Sequence, residues 1–172
     1  AKRNSNMVFV LHDNLVYALT TGQFTPLSPR GFKGRSTPFG SPEDPLHPIT
    51  LMLEAGATFV ARGYSGKPQH LADLIVKAVK HPGFAFIDVL QPCVTFYDMS
   101  KEYNEGVVEE DNPEPANIEK AKELALRNGK IAIGVLYEVK KMVYSDGVVN
   151  RSVKDVLSEG QRKERLAKVL SP

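Results

Sequence analysis

Asn14 and Val16 stand two residues apart at the end of an apolar run, where a side-chain amide oxygen and a backbone carbonyl can leave the chain together. Hard oxygen donors of this kind suit Mg²⁺, which takes octahedral oxygen and binds through few protein ligands plus substrate phosphates. Asp13 is adjacent, but neighbouring strand residues point to opposite faces, so it does not complete the set. The Asp13-Asn14 pair also fits an Asx turn, and spacing alone favours the turn. Cys93, within Gln91-Pro92-Cys93-Val94-Thr95-Phe96, is the single cysteine. Taken alone it reads as a small buried hydrophobe. As a cluster ligand it supplies one of the four thiolates that a [4Fe–4S] cluster needs. As a nucleophile it needs a base, and none of the four histidines (His12, His47, His70, His81) has a spacing that joins it to Cys93. His70 and His81 bracket a helical stretch and read as surface residues.

The elements that must position these groups follow from periodicity. Residues 7–11 are apolar, short and rich in β-branched and aromatic side chains, which predicts a buried strand. A strand ending in Asp-Asn and a Gly-containing loop puts oxygens at its carboxyl end, the edge where open α/β sheets bind ligands. Residues 24–47 are crowded with Pro, Gly and Ser. A structureless loop of that length is a lid or partner-binding loop, or else an excursion covering a sheet edge, and the sequence leaves both open.

A short helix is expected over 48–55, with Leu51, Met52 and Ala55 as its buried face, then a strand over 58–61. Leu71, Leu74, Ile75, Ala78 and Val79 fall at i, i+3, i+4, i+7 and i+8, the clearest helical period in the chain. His81-Pro82-Gly83 ends that helix, and 84–90 reads as the next strand. Strand, helix and strand in this order predict a βαβ unit with parallel strands. If residues 7–11 run parallel to it, Asn14 and Cys93 share one sheet edge. Residues 98–114 read as a polar connector or lid, 117–127 as a second amphipathic helix, and 131–137 as a strand. Ser152-Val153-Lys154-Asp155 resembles a capping box opening one or two short closing helices. The fold class is α/β, a mostly parallel sheet flanked by helices.

Charge and composition exclude several classes. The 22 Lys and Arg nearly cancel the 20 Asp and Glu, so no nucleic-acid surface is indicated. Arg162-Lys163-Glu164-Arg165, the densest basic cluster, is interrupted by an acid and reads as a solvated helix face. No apolar run approaches the roughly 20 residues that cross a bilayer, so no membrane role is expected. A single cysteine fits a reducing compartment, and the cytoplasm is the default. Ala1-Lys2-Arg3-Asn4 runs into a core strand without a leader, which reads as the start of a fragment.

Several stretches resemble the carboxyl-terminal part of the β subunit of 2-oxoacid:ferredoxin oxidoreductases, of the 2-oxoglutarate or general 2-oxoacid type. They are residues 1–4, the run Asp13-Asn14-Leu15-Val16-Tyr17-Ala18-Leu19-Thr20-Thr21-Gly22-Gln23, and Ser36-Thr37-Pro38-Phe39-Gly40. Residues 55–62, 81–88 and 91–96 continue the resemblance in the same order, and it fades after about residue 100.

The resemblance implies half of a thiamine-diphosphate-binding fold. Residues 1–98 would be the carboxyl-terminal half of that domain, and 99–172 an extension packing on it. Asn14 would bind Mg²⁺ through its side chain and Val16 through its carbonyl. Tyr17, Leu19 and Thr20 would lie along the diphosphate. Thr21 would stand next to the substrate, where many relatives carry Lys or Gly, which leaves the 2-oxoacid open. Cys93 would be the fourth ligand of a [4Fe–4S] cluster. The implied enzyme oxidatively decarboxylates a 2-oxoacid to acyl-CoA and CO2, passes electrons to ferredoxin, and works with an α subunit and coenzyme A. The Gly-Asp-Gly carboxylate and three further cysteines of that pattern are not in these 172 residues. The alternative expectation is therefore a non-catalytic α/β fragment or assembly module that binds no cofactor.

Overall fold

The computed structural model describes residues 1–149 together with 160, 161, 163 and 164. The capping pattern at 152–155 lies outside the described residues, as do Arg162 and Arg165 of the charged cluster. In chain order the elements are β1 (Met7–Asp13), β2 (Val16–Tyr17), β3 (Gln23–Phe24), α1 (Pro48–Glu54), β4 (Phe59–Tyr64) and α2 (Pro68–Lys80). They continue with β5 (Phe84–Leu90), α3 (Ser100–Gly106), β6 (Val107–Glu109), α4 (Ile118–Leu126), β7 (Ile131–Glu138) and α5 (Tyr144–Val149).

Five strands form one sheet in the order β1-β5-β4-β7-β6, and β2 with β3 forms a small separate hairpin. Strands β1, β5 and β4 run parallel to one another, as do β6 and β7, while β4 and β7 are antiparallel. This is the mostly parallel α/β sheet with flanking helices that the periodicities predict.

The two faces follow the alternation of side chains along each strand. Ala85, Ile87 and Val89 of β5 join Phe59 and Ala61 of β4 under Leu74 and Ala78 of α2. Phe84 and Phe86 join Val60, Ala132 and Leu136 under Ile49 and Leu53 of α1 and Ala121 and Leu124 of α4. Every residue of β5 is buried, as expected for a strand covered on both faces. Pro68 occupies the first turn of α2, where its missing N–H leaves no helical hydrogen bond unmade. Asn117 caps α4, its side-chain oxygen accepting from the N–H groups of Glu119 and Lys120.

Several expectations need correction. β1 is an edge strand whose one sheet partner among the described residues is β5; Met7 is 55% exposed and Phe9 49%. Its apolar composition reflects a face that α1 covers only in part. In α1 the buried pair is Ile49 and Leu53, whereas Leu51 is exposed, because the helix lies on the sheet through its first and last turns. Residues 98–114 are more than a connector. They contain α3 and β6, and Tyr103, Met99 and Val107 pack with Tyr64, Leu90 and Ile133 in a third apolar cluster. β6 then extends the sheet by pairing with β7.

His81 is not a surface residue. It is buried, with its ring Nε2 2.9 Å from the Thr58 hydroxyl. The Thr58 hydroxyl also lies 2.6 Å from Asn4 Oδ1, and that same oxygen accepts from the Phe84 N–H at 2.9 Å. A small buried polar knot thus closes the amino ends of β4 and β5.

Candidate cofactor-binding site

The carboxyl end of the sheet is fixed by the β1–β5 register. Asp13 stands opposite Leu90, and the Gln91 N–H donates to the Asp13 carbonyl at 2.9 Å. The segments carrying Asn14 and Cys93 therefore leave the same edge side by side.

Beyond Asp13 the chain makes two overlapping Asx turns. Asp13 Oδ1 accepts from the Leu15 N–H at 3.3 Å, and Asn14 Oδ1 accepts from the Val16 N–H at 3.2 Å. Leu15 is left-handed, with φ 60°. The turn favoured by spacing is present, and it leaves Asn14 Oδ1 a lone pair: an amide oxygen has two, and the Val16 N–H uses one. The Val16 side chain is buried and anchors the turn. Val16 and Tyr17 then pair with Phe24 and Gln23. Across this hairpin Thr20 Oγ1 bonds the Tyr17 carbonyl and Gln23 Oε1, and the Thr21 N–H donates to the same Gln23 oxygen at 3.3 Å. Tyr17, Leu19, Thr20 and Thr21 are all exposed at the hairpin surface.

A groove of about 1140 Å³ opens between this hairpin, the uncovered face of β1 and the outer side of α1. Asn14, Val16, Tyr17, Leu19 and Thr20 line it, opposite apolar side chains such as Phe9 and Leu51. Thr21 and Cys93 lie outside its lining. Cys93 is a free, half-buried thiol, neither the fully buried hydrophobe nor an exposed one, held in a short loop by a Tyr97 N–H donation to its carbonyl at 2.9 Å. That loop reaches the hairpin through Phe96, which packs on Gly22, and it reaches the long loop through Tyr97, whose ring meets Phe32 edge-on at 5.1 Å.

The long loop of residues 25–47 is organised by its own contacts. Arg30 holds Asp44 in a two-pronged ion pair, and the Ser41 N–H and carbonyl bond Phe32 and Gly31. Sequence reasoning missed what its first turn does: the buried Ser28 hydroxyl donates to the Leu15 carbonyl at 2.5 Å. A serine before a proline in a loop carries no signal of that contact.

Under the site lies a buried charged group that periodicity also hid. Arg62 of β4 donates to Asp88 of β5 at 3.3 Å and to the Ala125 carbonyl of α4 at 3.2 Å. Burial pushes the Asp88 carboxyl up, against the pull of Arg62. Burial, and then the Asp88 carboxylate, push Asp13 up to about 7, while the Leu15 N–H and Arg62 oppose them. One Asp88 oxygen has no hydrogen-bond partner. The signal available in the sequence was a single Asp inside an otherwise apolar strand.

The donor set fits half a Mg²⁺ site. Asn14 Oδ1 and the Val16 carbonyl are hard oxygens on one short turn, and no group of three or more His, Cys, Asp or Glu among the described residues could hold a metal. A Mg²⁺ held by these two oxygens would need further ligands, such as the oxygens of a bound phosphate. An iron–sulfur cluster does not fit on this chain alone, since Cys93 is its one thiolate.

A family model described as thiamine pyrophosphate enzyme, C-terminal TPP binding domain, matches residues 1–89. The chain belongs to that family. Within it, the chain is 41% identical over 152 residues to the 2-oxoacid:ferredoxin oxidoreductase subunit beta of Sulfolobus sp, covering 80% of this chain and 50% of that protein. It is 32% identical over 152 residues to the 2-oxoglutarate synthase subunit KorB of Methanocaldococcus jannaschii, covering 81% and 53%. A solved 2-oxoglutarate:ferredoxin oxidoreductase from Magnetococcus marinus, with 2-oxoglutarate, coenzyme A and succinyl-CoA bound, matches 100% of this chain and 60% of its own. That match has a TM-score of 0.85 at 34% identity. The chain thus spans about half the length of the curated relatives it matches. Among the described residues the chain has no helix long and apolar enough to cross a membrane.

Proposed function

We propose that this TPP-binding domain is the carboxyl-terminal part of a 2-oxoacid:ferredoxin oxidoreductase β subunit. The reaction is the oxidative decarboxylation of a 2-oxoacid to acyl-CoA and CO2, with electrons passing through a [4Fe–4S] cluster to ferredoxin in a reducing compartment such as the cytoplasm. One observation carries the reading: Asn14 Oδ1 and the Val16 carbonyl lie on one turn at the carboxyl edge of the sheet and border a groove. The names of the relatives support the reaction class.

In this reading Asn14 and Val16 hold Mg²⁺, and Tyr17, Leu19 and Thr20 line the diphosphate. Thr21 faces the 2-oxoacid. Cys93 is one of four cluster thiolates, the others lying outside these 172 residues. Thiamine diphosphate, when bound, supplies the electron sink for decarboxylation. The chain's own part is to hold the cation and diphosphate rigidly and to seat the Cys93 loop against the hairpin through Phe96 and Gly22. Residues 1–98 carry the cofactor half, and 99–172 extend the same domain. The partners are an α subunit, coenzyme A and ferredoxin.

A second reading is a non-catalytic assembly module that binds no cofactor. The two oxygens and one thiolate available on the chain favour it for the 172 residues alone. Calorimetric titration of thiamine diphosphate with Mg²⁺ into the full-length protein separates the two. The first reading expects binding that Asn14→Ala weakens by about tenfold or more; no binding to the full-length protein supports the second. The 172-residue chain alone is expected to give no 2-oxoacid-dependent dye reduction, and measurable reduction would overturn the division of the site.

A further inference from the structure

The turn that carries Asn14 is held from the long loop that follows the hairpin. Ser28 is 2% exposed, and its hydroxyl donates to the Leu15 carbonyl at 2.5 Å while accepting from the Thr25 N–H at 2.7 Å. Leu15 sits at φ 60°, a conformation that costs a side-chain-bearing residue roughly 1–2 kcal/mol unless its surroundings hold it there. Both of its polar groups are held. Its N–H donates to Asp13, and its carbonyl accepts from Ser28.

That carbonyl belongs to the same planar peptide as the Val16 N–H, and the N–H donates to Asn14 Oδ1 at 3.2 Å. One rigid plane therefore has the Ser28 hydroxyl at one end and the Asn14 amide oxygen at the other. Turning the plane swings the Asn14 side chain and redirects the Val16 carbonyl that follows.

We propose that Ser28 is a positioning residue for the cation-binding turn, fixing the Leu15–Val16 peptide and through it the aim of Asn14 Oδ1 and the Val16 carbonyl. The inference rests on the assignment of Asn14 and Val16 as Mg²⁺ donors. Ser28 itself touches neither donor side chain; it acts through Leu15. The first turn of the long loop is therefore part of the cofactor site, whatever the exposed remainder of that loop does.

The test is Mn²⁺ binding in the presence of thiamine diphosphate, followed by the electron paramagnetic resonance of free Mn²⁺, on the full-length protein. Four proteins are compared: the parent, Ser28→Ala, Ser28→Thr and Ser41→Ala. Ser41 is similarly buried at 3%, lies in the same loop, and its hydroxyl accepts from the Glu43 N–H rather than serving the Asn14 turn. Ser28→Ala is expected to weaken Mn²⁺ about 10–100-fold, the usual effect of removing a group that orients a ligand. Ser28→Thr, which keeps the hydroxyl, recovers most of the loss, and Ser41→Ala lowers the melting temperature without changing Mn²⁺ affinity. Should Ser28→Ala not fold, Ser28→Cys, nearly isosteric with only a weak S–H donor, carries the same expectation. Parent-like Mn²⁺ binding by the folded Ser28 variant, or equal weakening in Ser28→Ala and Ser41→Ala, overturns the proposal while leaving the site assignment intact. A parent that binds no Mn²⁺ with thiamine diphosphate overturns the site assignment itself.

Discussion

A β-carbon added to Gly22 would stand 2.6 Å from Cδ1 of Phe96, inside its ring contact. Gly22 also has φ 73°, so both space and backbone demand glycine there. A β-carbon on Gly34 would in turn come within 3.0 Å of the Gly22 carbonyl. The Asn14 hairpin, the Cys93 loop and the long loop therefore meet at one glycine. Local strain at this point reaches all three.

Gly22→Ala is expected to destabilise the protein by about 1–3 kcal/mol, the usual range for forcing a methyl into a packed site. Removing the ring with Phe96→Ala in the same chain takes away the two closest carbons and leaves the 2.9 Å Cβ contact and the backbone strain. The double variant should thus be more stable than the sum of the single effects allows. Urea denaturation of the three variants measures this, and a parent-like midpoint for Gly22→Ala would refute the contact.

Arg62 and Asp88 have side chains only 12% and 2% exposed and lie 3.3 Å apart. Arg62→Met leaves the Asp88 carboxylate buried without its cation and should cost about 3–5 kcal/mol. The Arg62→Met, Asp88→Leu pair, which removes both charges, should recover most of that. Guanidinium melts decide the matter: a double variant no better than Arg62→Met would mean that the pair's packing, and not its charge, matters.

Burial holds the His81 imidazole below its ordinary value, against the pull of Glu138. The unfolded chain therefore binds more protons than the folded one in the window below about pH 6.5, where a free histidine titrates. This contribution to stability is complete above that pH and is lost as the pH falls. Asp13 and Asp88, raised by burial, act with the opposite sign in acid, so the test compares variant with parent. The stability difference between parent and His81→Gln should shift against the parent from pH 7 to pH 5. A difference independent of pH would rule out His81 as the source.

The outer edge of β1 has no strand partner among the described residues, and Met7 and Phe9 stand exposed on it. An apolar, unprotected edge is a template for pairing with another chain. The 172-residue chain should show concentration-dependent self-association in sedimentation velocity, and Met7→Lys should reduce it. A clean monomer at high concentration would count against this surface being adhesive.

Much of the scaffold was legible in the residues. The 3.6 period of α2 and the seven apolar-rich positions of β5 were clear because each depends on one helix or strand burying one stripe or both faces. Even there the stripe overstated burial: Leu74 and Ala78 are buried, while Val79 is exposed. The site was legible in a different way. Spacing alone read Asp13-Asn14 as a turn, and the ordered run from Asp13 to Gln23 suggested the cofactor. The structure shows the turn, and Asn14 Oδ1 keeps a lone pair within it, so the turn does not by itself rule out the donor reading.

Sequence by itself determined the α/β class and the strand that ends at Asp13, because these rest on local periodicity and on residue type. Tertiary structure alone decided that Ser28 holds Leu15, that Phe96 sits on Gly22, and that His81 is buried against Thr58. It also decided that β6 joins the sheet beside β7. Each of these depends on where two distant segments are brought by strand register and packing. A hydroxyl 13 residues away can accept or donate anywhere until the fold places a particular carbonyl in front of it.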